Sequence, residues 1–126
     1  FTLIELLVVM IIIGILAAIA IPTFLNQRNN GYRTQLKEDL KNTATAIESA
    51  AVDNNGDYAS AGVGMGNAYA APPAAWAIKK SGNDTIEVKY LSSTDYCVKG
   101  TNSSLGAEVW YYSKSSGVPS TTVGAC

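Results

Sequence analysis

The chain contains no histidine, and this absence removes the side chain that most often serves as a general base or a metal ligand. Only two cysteines are present, Cys97 and Cys126, and their spacing does not form the CxxC pattern of zinc or thioredoxin-like sites. The formal net charge is −1, so the chain lacks the strongly basic surface typical of nucleic-acid-binding proteins. These absences argue against an enzyme and against a resident metal or cofactor.

Charge is also nearly absent from the first 25 residues, where Glu5 is the only ionisable side chain. From Leu6 to Ile21 the sequence reads LLVVMIIIGILAAIAI, which makes every side of a helix apolar. At about 1.5 Å per residue, a helix over residues 1–25 is about 37 Å long and crosses a bilayer. The segment therefore predicts a helix surrounded by lipid or by other helices, and a simple membrane anchor is its plainest interpretation.

Glu5 is the residue that a simple anchor does not explain, because an ionised carboxylate in hydrocarbon costs several kcal/mol. The only positive group in the segment is the α-amino group of Phe1. Within one chain the helix leads residue 5 away from residue 1, although one turn still brings them fairly near. An axial stagger between two chains allows the amine of one to meet the Glu5 of the other. We therefore predict that Glu5 and Phe1 pair between subunits and set the register of an assembly. An acid at the membrane interface of a plain anchor is the alternative.

The stretch FTLIELLVVMIIIGILAAIAIPTFLNQR resembles the N-terminus of mature type IV pilins and their relatives. The residues that carry this resemblance, together with the apolar run between them, are Phe1, Thr2, Leu3, Glu5, Gly14 and Pro22. The resemblance is specific over residues 1–28, and beyond them only the architecture is similar.

The resemblance implies that a prepilin peptidase removes a short leader and that the new N-terminus at Phe1 is N-methylated. It also implies that Glu5 neutralises the Phe1 amine of a neighbouring subunit as the chain leaves the inner membrane. The expected product is a homo-oligomeric helical filament, drawn from a membrane-inserted pool by the pilus assembly machinery and exposed as a pilus on the cell surface. No catalysis is implied.

Gly14 and Pro22 weaken the helix between them, since Gly costs about 1 kcal/mol and Pro about 3 kcal/mol relative to Ala. Pro22 predicts a kink or break near Ala18. The family resemblance implies that the segment between such positions can melt when subunits pack. We therefore expect extended or irregular backbone between Gly14 and Pro22 in a filament, with an intact and mildly kinked helix as the alternative.

After Pro22 the pattern becomes amphipathic. Steps of three or four residues place one set on a common helix face, namely Tyr32, Leu36, Leu40, Thr43, Ile47 and Ala50. The run Asp53-Asn54-Asn55-Gly56 predicts the end of this helix. A helix of that length is about 80 Å long, which is too long for a compact domain of this size, so we expect a ladle shape with a protruding apolar half.

Three short strands are predicted at 85–90, 95–99 and 108–112, because apolar residues alternate there between turn residues. The sets assigned to common faces are Ile86 with Val88 and Tyr90, Tyr96 with Val98, Val109 with Tyr111, and Trp110 with Tyr112. One face of this antiparallel sheet is expected to pack on the helix. The fold class is therefore α+β.

The sequence divides into four predicted segments. They are an apolar transmembrane or filament-core helix at 1–28, an amphipathic helix at 29–53, an αβ loop at 54–84, and an antiparallel sheet with a disulfide-closed C-terminal region at 85–126.

Cys97 and Cys126 are an even pair in a chain expected to be exported, which favours a disulfide over two free thiols. Closing about 30 residues stabilises the fold by roughly 3.5 kcal/mol in the chain-entropy model. The pair is similar to the disulfide-bounded loop that many pilins carry near the C-terminus.

Three weaker motifs do not change this interpretation. The Asp53-x-Asn55-x-Asp57 run is similar to the start of a calcium loop but has Gly64 where such a loop carries its glutamate. The glycines at 62, 64 and 66 lack the strand and the GK[ST] sequence of a phosphate-binding loop. A possible DNA-contacting set is Lys79, Lys80 and Lys89 with Tyr58, Tyr69, Tyr96, Tyr111 and Tyr112, although core or interface roles are more typical of such tyrosines.

The sequence thus predicts the major structural subunit of a type IV pilus. The alternatives are a pseudopilin of a secretion system, a minor or DNA-uptake competence pilin, and an ordinary anchored monomer. The cysteine pair and the missing calcium-loop glutamate argue against the pseudopilin, and Glu5 with Gly14 and Pro22 argues against the monomer.

Overall fold

The computed structural model describes residues 1–58 and 81–121. Its elements are helix α1 at Leu3–Asp53, strand β1 at Asp84–Leu91, strand β2 at Tyr96–Asn102, a 3₁₀ turn at Ser103–Leu105 and strand β3 at Val109–Ser113. The chain divides into two compact units, Phe1–Gly31 and Tyr32–Cys126. Most of the predicted loop at 54–84, including its glycine motif, lies outside the described residues.

Helix α1 is continuous over 51 residues, with Pro22 inside it. Pro22 has no N–H to donate to the carbonyl of Ala18, so one backbone hydrogen bond is missing there. One residue further on, the Thr23 hydroxyl donates to the Ile19 carbonyl at 3.2 Å, which adds a contact beside the weakened turn. The single chain therefore shows no break near Ala18, and the irregular backbone expected in a filament stays a prediction.

The C-terminal end of α1 lies where the sequence predicts it. The N–H groups of Asn54 and Gly56 both donate to the carbonyl of Ala51, at 3.0 and 2.7 Å. Asn55 and Gly56 take φ values of 60° and 82°, a left-handed conformation that suits asparagine and glycine. These residues satisfy the last carbonyls of the helix and turn the chain away from it.

The sheet has three strands in the order β1-β2-β3, and both pairings are antiparallel. The central register aligns Val88 with Val98 and Val98 with Tyr112. Pairing shifts between Val88 and Tyr90, so the regular alternation predicted for β1 is interrupted there. The prediction of a small antiparallel sheet is confirmed.

The core lies between α1 and one face of the sheet in the unit Tyr32–Cys126. Its buried members are Leu36, Leu40, Ala44, Ile47, Ala51, Tyr58, Ile86, Tyr96 and Val98, with Leu91, Leu105, Trp110 and Tyr112 packed against them. The predicted helix face is confirmed at its centre. At its ends Tyr32 and Ala50 are only half-buried, and Ala51 takes the inner position because it lies four residues after Ile47.

Asp39 is a buried carboxylate that the apolar pattern did not predict. The Ser81 backbone N–H donates to its Oδ2 at 2.7 Å, and the Ser81 hydroxyl donates to its Oδ1 at 3.2 Å. The Ser81 carbonyl in turn accepts the N–H of Asp84 at 2.9 Å. These bonds satisfy the buried charge and fasten the start of β1 to the helix.

Gly100 marks a close approach of sheet and helix. A Cβ atom at this position meets Leu36 Cδ1 at 2.8 Å and Leu40 Cδ2 at 3.0 Å. Both leucines are fully buried and have little room to move. We expect Gly100→Ala to lower the free energy of unfolding by about 1–3 kcal/mol, measured by denaturant titration of the whole chain in detergent micelles.

The matched control for this prediction is Gly31→Ala, because a Cβ at Gly31 meets nothing within 4 Å. Alanine in a helix is favoured over glycine by about 0.5–1 kcal/mol, so this variant should be no less stable than the parent. If Gly100→Ala proved as stable as the parent, the close approach of helix and sheet would be wrong.

Candidate assembly site in the N-terminal segment

The unit Phe1–Gly31 presents a continuous apolar surface to its surroundings. Its exposed large side chains are Phe1, Leu3, Ile4, Leu6, Leu7, Val8, Val9, Met10, Ile11, Ile12, Ile13, Ile15, Leu16, Ile19, Ile21, Phe24 and Leu25. By length and composition α1 is able to cross a membrane. A contiguous apolar surface of this size marks an interface with lipid or with other protein.

Thr2 and Glu5 form a capping box at the start of this surface. The Thr2 backbone N–H donates to Glu5 Oε2 at 2.7 Å, and the Thr2 hydroxyl donates to the same oxygen at 3.1 Å. In the other direction, the Glu5 N–H approaches the Thr2 hydroxyl oxygen at 3.3 Å. The Thr2 carbonyl also accepts the N–H of Leu6 at 3.3 Å, which makes Thr2 the N-cap of α1.

The capping box gives Glu5 a partner inside its own chain. Both donated bonds reach Oε2, so Oε1 stays exposed to an incoming donor. The α-amino group of Phe1 is not among the ion-pair partners found within residues 1–58 and 81–121. Oε2 of Glu5 is thus held by Thr2, and Oε1 remains accessible because the residue is exposed.

Thr2 caps the helix and bonds to Glu5, a contact that the family resemblance alone did not predict. Its signal was present in the T-x-x-E spacing of residues 2–5, which is typical of a capping box. The charge of Glu5 alone does not predict its hydrogen-bonding partner three residues away.

The remaining predicted site residues lie in separate places. A Cβ at Gly14 meets no atom within 4 Å, so this glycine borders open space in the single chain. Cys97 lies in β2 and is fully buried, whereas Cys126 lies outside the described residues. Within the described ranges no three metal-binding side chains come together.

Two tyrosines of the possible DNA-contacting set are part of the core. Tyr58 and Tyr96 are buried, with ring centres 5.1 Å apart. The Tyr58 hydroxyl donates to Glu48 at 2.8 Å, and burial raises the pKa of the Tyr96 hydroxyl. These rings are therefore closed to stacking on nucleic-acid bases. Lys79, Lys80 and Tyr69 lie outside the described residues.

A second polar cluster lies in the unit Tyr32–Cys126. Arg33 grips the Glu108 carboxylate with Nε on Oε1 at 2.8 Å and Nη2 on Oε2 at 3.0 Å. The Trp110 indole N–H donates to the same carboxylate at 2.8 Å, and Lys37 Nζ lies 4.5 Å from the centre of the Trp110 ring. The hydrogen bond from Arg33 is the main cause that holds the pKa of Glu108 below its ordinary value.

Acid is expected to open this cluster. Because the pKa of Glu108 is lower in the folded chain than in the unfolded one, the contact stabilises the fold above the ordinary carboxyl pKa of about 4.3. That stabilisation is lost as the pH falls through the lowered folded value. In a Trp76→Phe background, which leaves Trp110 as the single tryptophan, its fluorescence should change with a midpoint below about 4.3.

Adding Glu108→Gln to the same background should remove this acid transition, since the titrating group is gone. A midpoint at or above the ordinary glutamate pKa, or a transition that persists without Glu108, would contradict the assignment.

Comparison with known proteins identifies relatives of the N-terminal segment. The family model for the prokaryotic N-terminal methylation motif matches residues 1–21. The chain is 45% identical over 62 residues to the type IV major pilin protein PilA of Myxococcus xanthus, covering 48% of this chain and 28% of that protein. It is 41% identical over 54 residues to the type II secretion system core protein G of Pseudomonas aeruginosa, covering 43% and 38%. The chain therefore spans well under half the length of these two relatives.

A third comparison extends beyond the N-terminal segment. The chain is 32% identical over 111 residues to the type IV wide pilus major component PilA4 of Thermus thermophilus, covering 88% of this chain and 77% of PilA4. The chain belongs to the type IV pilin family. In this pilin the matched methylation motif contains both the capping box and most of the exposed apolar surface.

Proposed function

We propose that this pilin is the major structural subunit of a type IV pilus and polymerises through its N-terminal helix into a surface filament. The observation that carries the proposal is the exposed apolar surface of the helix, which runs without a polar side chain from Leu6 to Ile21. Two of the relatives, PilA and PilA4, are named as major pilus components, which supports the same function.

The apolar surface needs cover in two states. In the inner membrane, lipid covers it; in a filament, the same segments of other subunits cover it. Because lipid chains are as apolar as leucine side chains, transfer from membrane to filament leaves the hydrophobic free energy nearly unchanged. A small polar contribution is then enough to set the direction and register of assembly.

Glu5 supplies that polar contribution in our proposal. Thr2 donates two hydrogen bonds to Oε2 of the carboxylate, and Glu5 is exposed, which leaves Oε1 accessible to a donor from a neighbour. An N-methylated Phe1 amine of a neighbouring subunit keeps its positive charge and fits this oxygen as a donor. A charge buried away from water is strongly destabilised when its partner of opposite charge is missing. Only the register that brings Phe1 of one subunit to Glu5 of the next avoids this cost, so the pairing favours a single register.

The proposal includes the partners and places that pilin assembly requires. A prepilin peptidase generates the Phe1 terminus, a methyl group is added there, and a membrane-inserted pool feeds the assembly machinery. The match of residues 1–21 to the methylation motif supports this route. The assembled filament lies outside the cell.

The similarity to the type II secretion core protein G supports a second candidate, a secretion-system pseudopilin. Electron microscopy and mass spectrometry of sheared surface filaments separate the candidates. Long filaments that contain this chain alone are the result we expect. Filaments in which the chain is a trace component would instead support a minor or DNA-uptake pilin. Absence of surface filaments, combined with loss of protein secretion on deletion, would support the pseudopilin.

A further inference from the structure

The chain contains the same triplet twice, at Asn29-Asn30-Gly31 and at Asn54-Asn55-Gly56. An asparagine that precedes glycine is chemically labile, because glycine has no side chain to keep its backbone nitrogen away from the asparagine amide. The central asparagine and the glycine are exposed in both triplets. The two triplets therefore have the same local chemistry, and they differ in the backbone structure around them.

The first triplet lies inside α1, which continues for several turns on both sides of it. In a regular α-helix each N–H donates to the carbonyl four residues earlier, so the Gly31 nitrogen is held within the helix. Cγ of Asn30 can reach this nitrogen only if the backbone between them leaves the helical conformation. That rotation breaks hydrogen bonds in the neighbouring turns, so the helix protects Asn30.

The second triplet lies in a turn that follows the last residue of α1. Asn55 and Gly56 have φ values of 60° and 82°, and the Asp57 N–H donates to the Asn54 carbonyl at 3.2 Å. Both features are typical of a type I′ turn with asparagine and glycine at its central positions. The bond that holds the Gly56 N–H, to the Ala51 carbonyl at 2.7 Å, lies at the helix end, where local opening costs least.

We propose that Asn55 is a site of spontaneous deamidation and that α1 protects Asn30 from the same reaction. When the end of the helix opens, the Gly56 nitrogen loses its proton to a base in the solvent and attacks Cγ of Asn55. The new bond closes a five-membered succinimide ring, while the bond from Cγ to the side-chain nitrogen breaks and that nitrogen leaves as ammonia with a proton from water. Water then opens the ring at either carbonyl and leaves an aspartyl or an isoaspartyl residue in place of Asn55.

The product weakens the end of α1. It adds a carboxylate between Asp53 and Asp57 in the sequence, at a helix C-terminus whose last turn carries no basic residue. An isoaspartyl linkage also lengthens the main chain by one carbon, which displaces the Gly56 and Asp57 N–H groups from the carbonyls that accept them. The reaction is thus a one-way change at the end of the helix, and it does not depend on whether the chain forms a pilus.

Peptide mapping by mass spectrometry measures both sites in one sample of the whole pilin, incubated in detergent micelles at mildly alkaline pH. The deamidation rate at each site is divided by the rate at the same site in denaturant, which removes the effect of the different residues that follow the two triplets. We expect this ratio to be roughly ten- to hundredfold larger for Asn55 than for Asn30, because a helix end opens more often than a helix interior.

A methyltransferase specific for isoaspartyl residues identifies the product through transfer of a labelled methyl group. We expect Asn55→Gln to remove most of the labelling of the folded, incubated chain, because glutamine closes the corresponding six-membered ring far more slowly. The matched control, Asn30→Gln, should leave the labelling unchanged. A ratio for Asn55 no larger than that for Asn30, or undiminished labelling of Asn55→Gln, would overturn the proposal.

Discussion

Glu5→Gln is expected to abolish filament assembly while leaving the membrane-inserted pool intact. Glutamine at this position still accepts the bonds from Thr2, because a capping box works with glutamate or glutamine. The substitution therefore removes the charge without removing the cap. Leaving the neighbouring amine buried without its counter-charge costs about 3–5 kcal/mol per contact, which lowers the affinity of each docking step by a factor of about 10²–10⁴.

The measurement is the ratio of sheared filament to membrane-bound pilin, determined by immunoblotting and checked by electron microscopy. The matched control is Glu38→Gln, which removes a carboxylate from an exposed position of the same helix and should assemble normally. Glu5→Ala removes both charge and cap and should assemble no better than Glu5→Gln. Normal piliation in either Glu5 variant would contradict the docking role.

Removal of the proposed Cys97–Cys126 disulfide is expected to have the largest effect on the stability of the folded unit. Val98 faces the helix and belongs to the core cluster, so Cys97 faces the opposite side of the sheet. Cys97 is nevertheless fully buried, as is Ser113, its partner on β3. Cys97 is therefore not open to solvent on this outer face, as the proposed disulfide requires.

We expect Cys97→Ser and Cys126→Ser each to lower the free energy of unfolding by roughly 3.5 kcal/mol, the chain-entropy value for a loop of about 30 residues. The double variant should lose no more than about 1 kcal/mol beyond either single variant, because both remove one bond. Denaturant titration measures all three, and mass spectrometry with a thiol-alkylating reagent serves as the control for pairing. Two freely alkylated thiols in the native parent, or additive losses in the double variant, would contradict the disulfide.

Much of the fold can be predicted from short local patterns in the sequence. The end of α1 lies at Asp53 because the Asn-Asn-Gly run after it suits left-handed backbone. Ile86 and Val88 lie in the core because a strand alternates its faces. Both signals act over a few residues, so no knowledge of distant contacts is needed to use them.

The polar contacts that organise the molecule were not predicted, and the reason differs from case to case. Arg33 and Glu108 are 75 residues apart, and no local pattern pairs one charged residue with another at that distance. In the sequence, Asp39 has the features of a solvent-exposed helix residue. Its burial depends on the hydrogen bonds from Ser81, which is 42 residues away. The capping box at Thr2 and Glu5 differs from these two contacts because it is local, and the T-x-x-E spacing of residues 2–5 is sufficient to predict it.

The cap also changes how the role of Glu5 is understood. A carboxylate that waits in lipid without partners would be strongly disfavoured, whereas Thr2 donates two hydrogen bonds to it. Within the single chain Glu5 is thus partly satisfied, because both bonds from Thr2 reach Oε2. In our proposal, Thr2 lowers the free energy of the waiting state and the neighbouring Phe1 stabilises the assembled one.

Pairing between Glu5 and a neighbouring Phe1 is tested most directly by a helical reconstruction of purified filaments at side-chain resolution. We predict that Oε1 of Glu5 lies about 3 Å from the Phe1 nitrogen of an adjacent subunit, while Thr2 still contacts Oε2. A filament in which Glu5 bonds only to its own Thr2, with every neighbouring Phe1 amine beyond reach, would contradict the pairing.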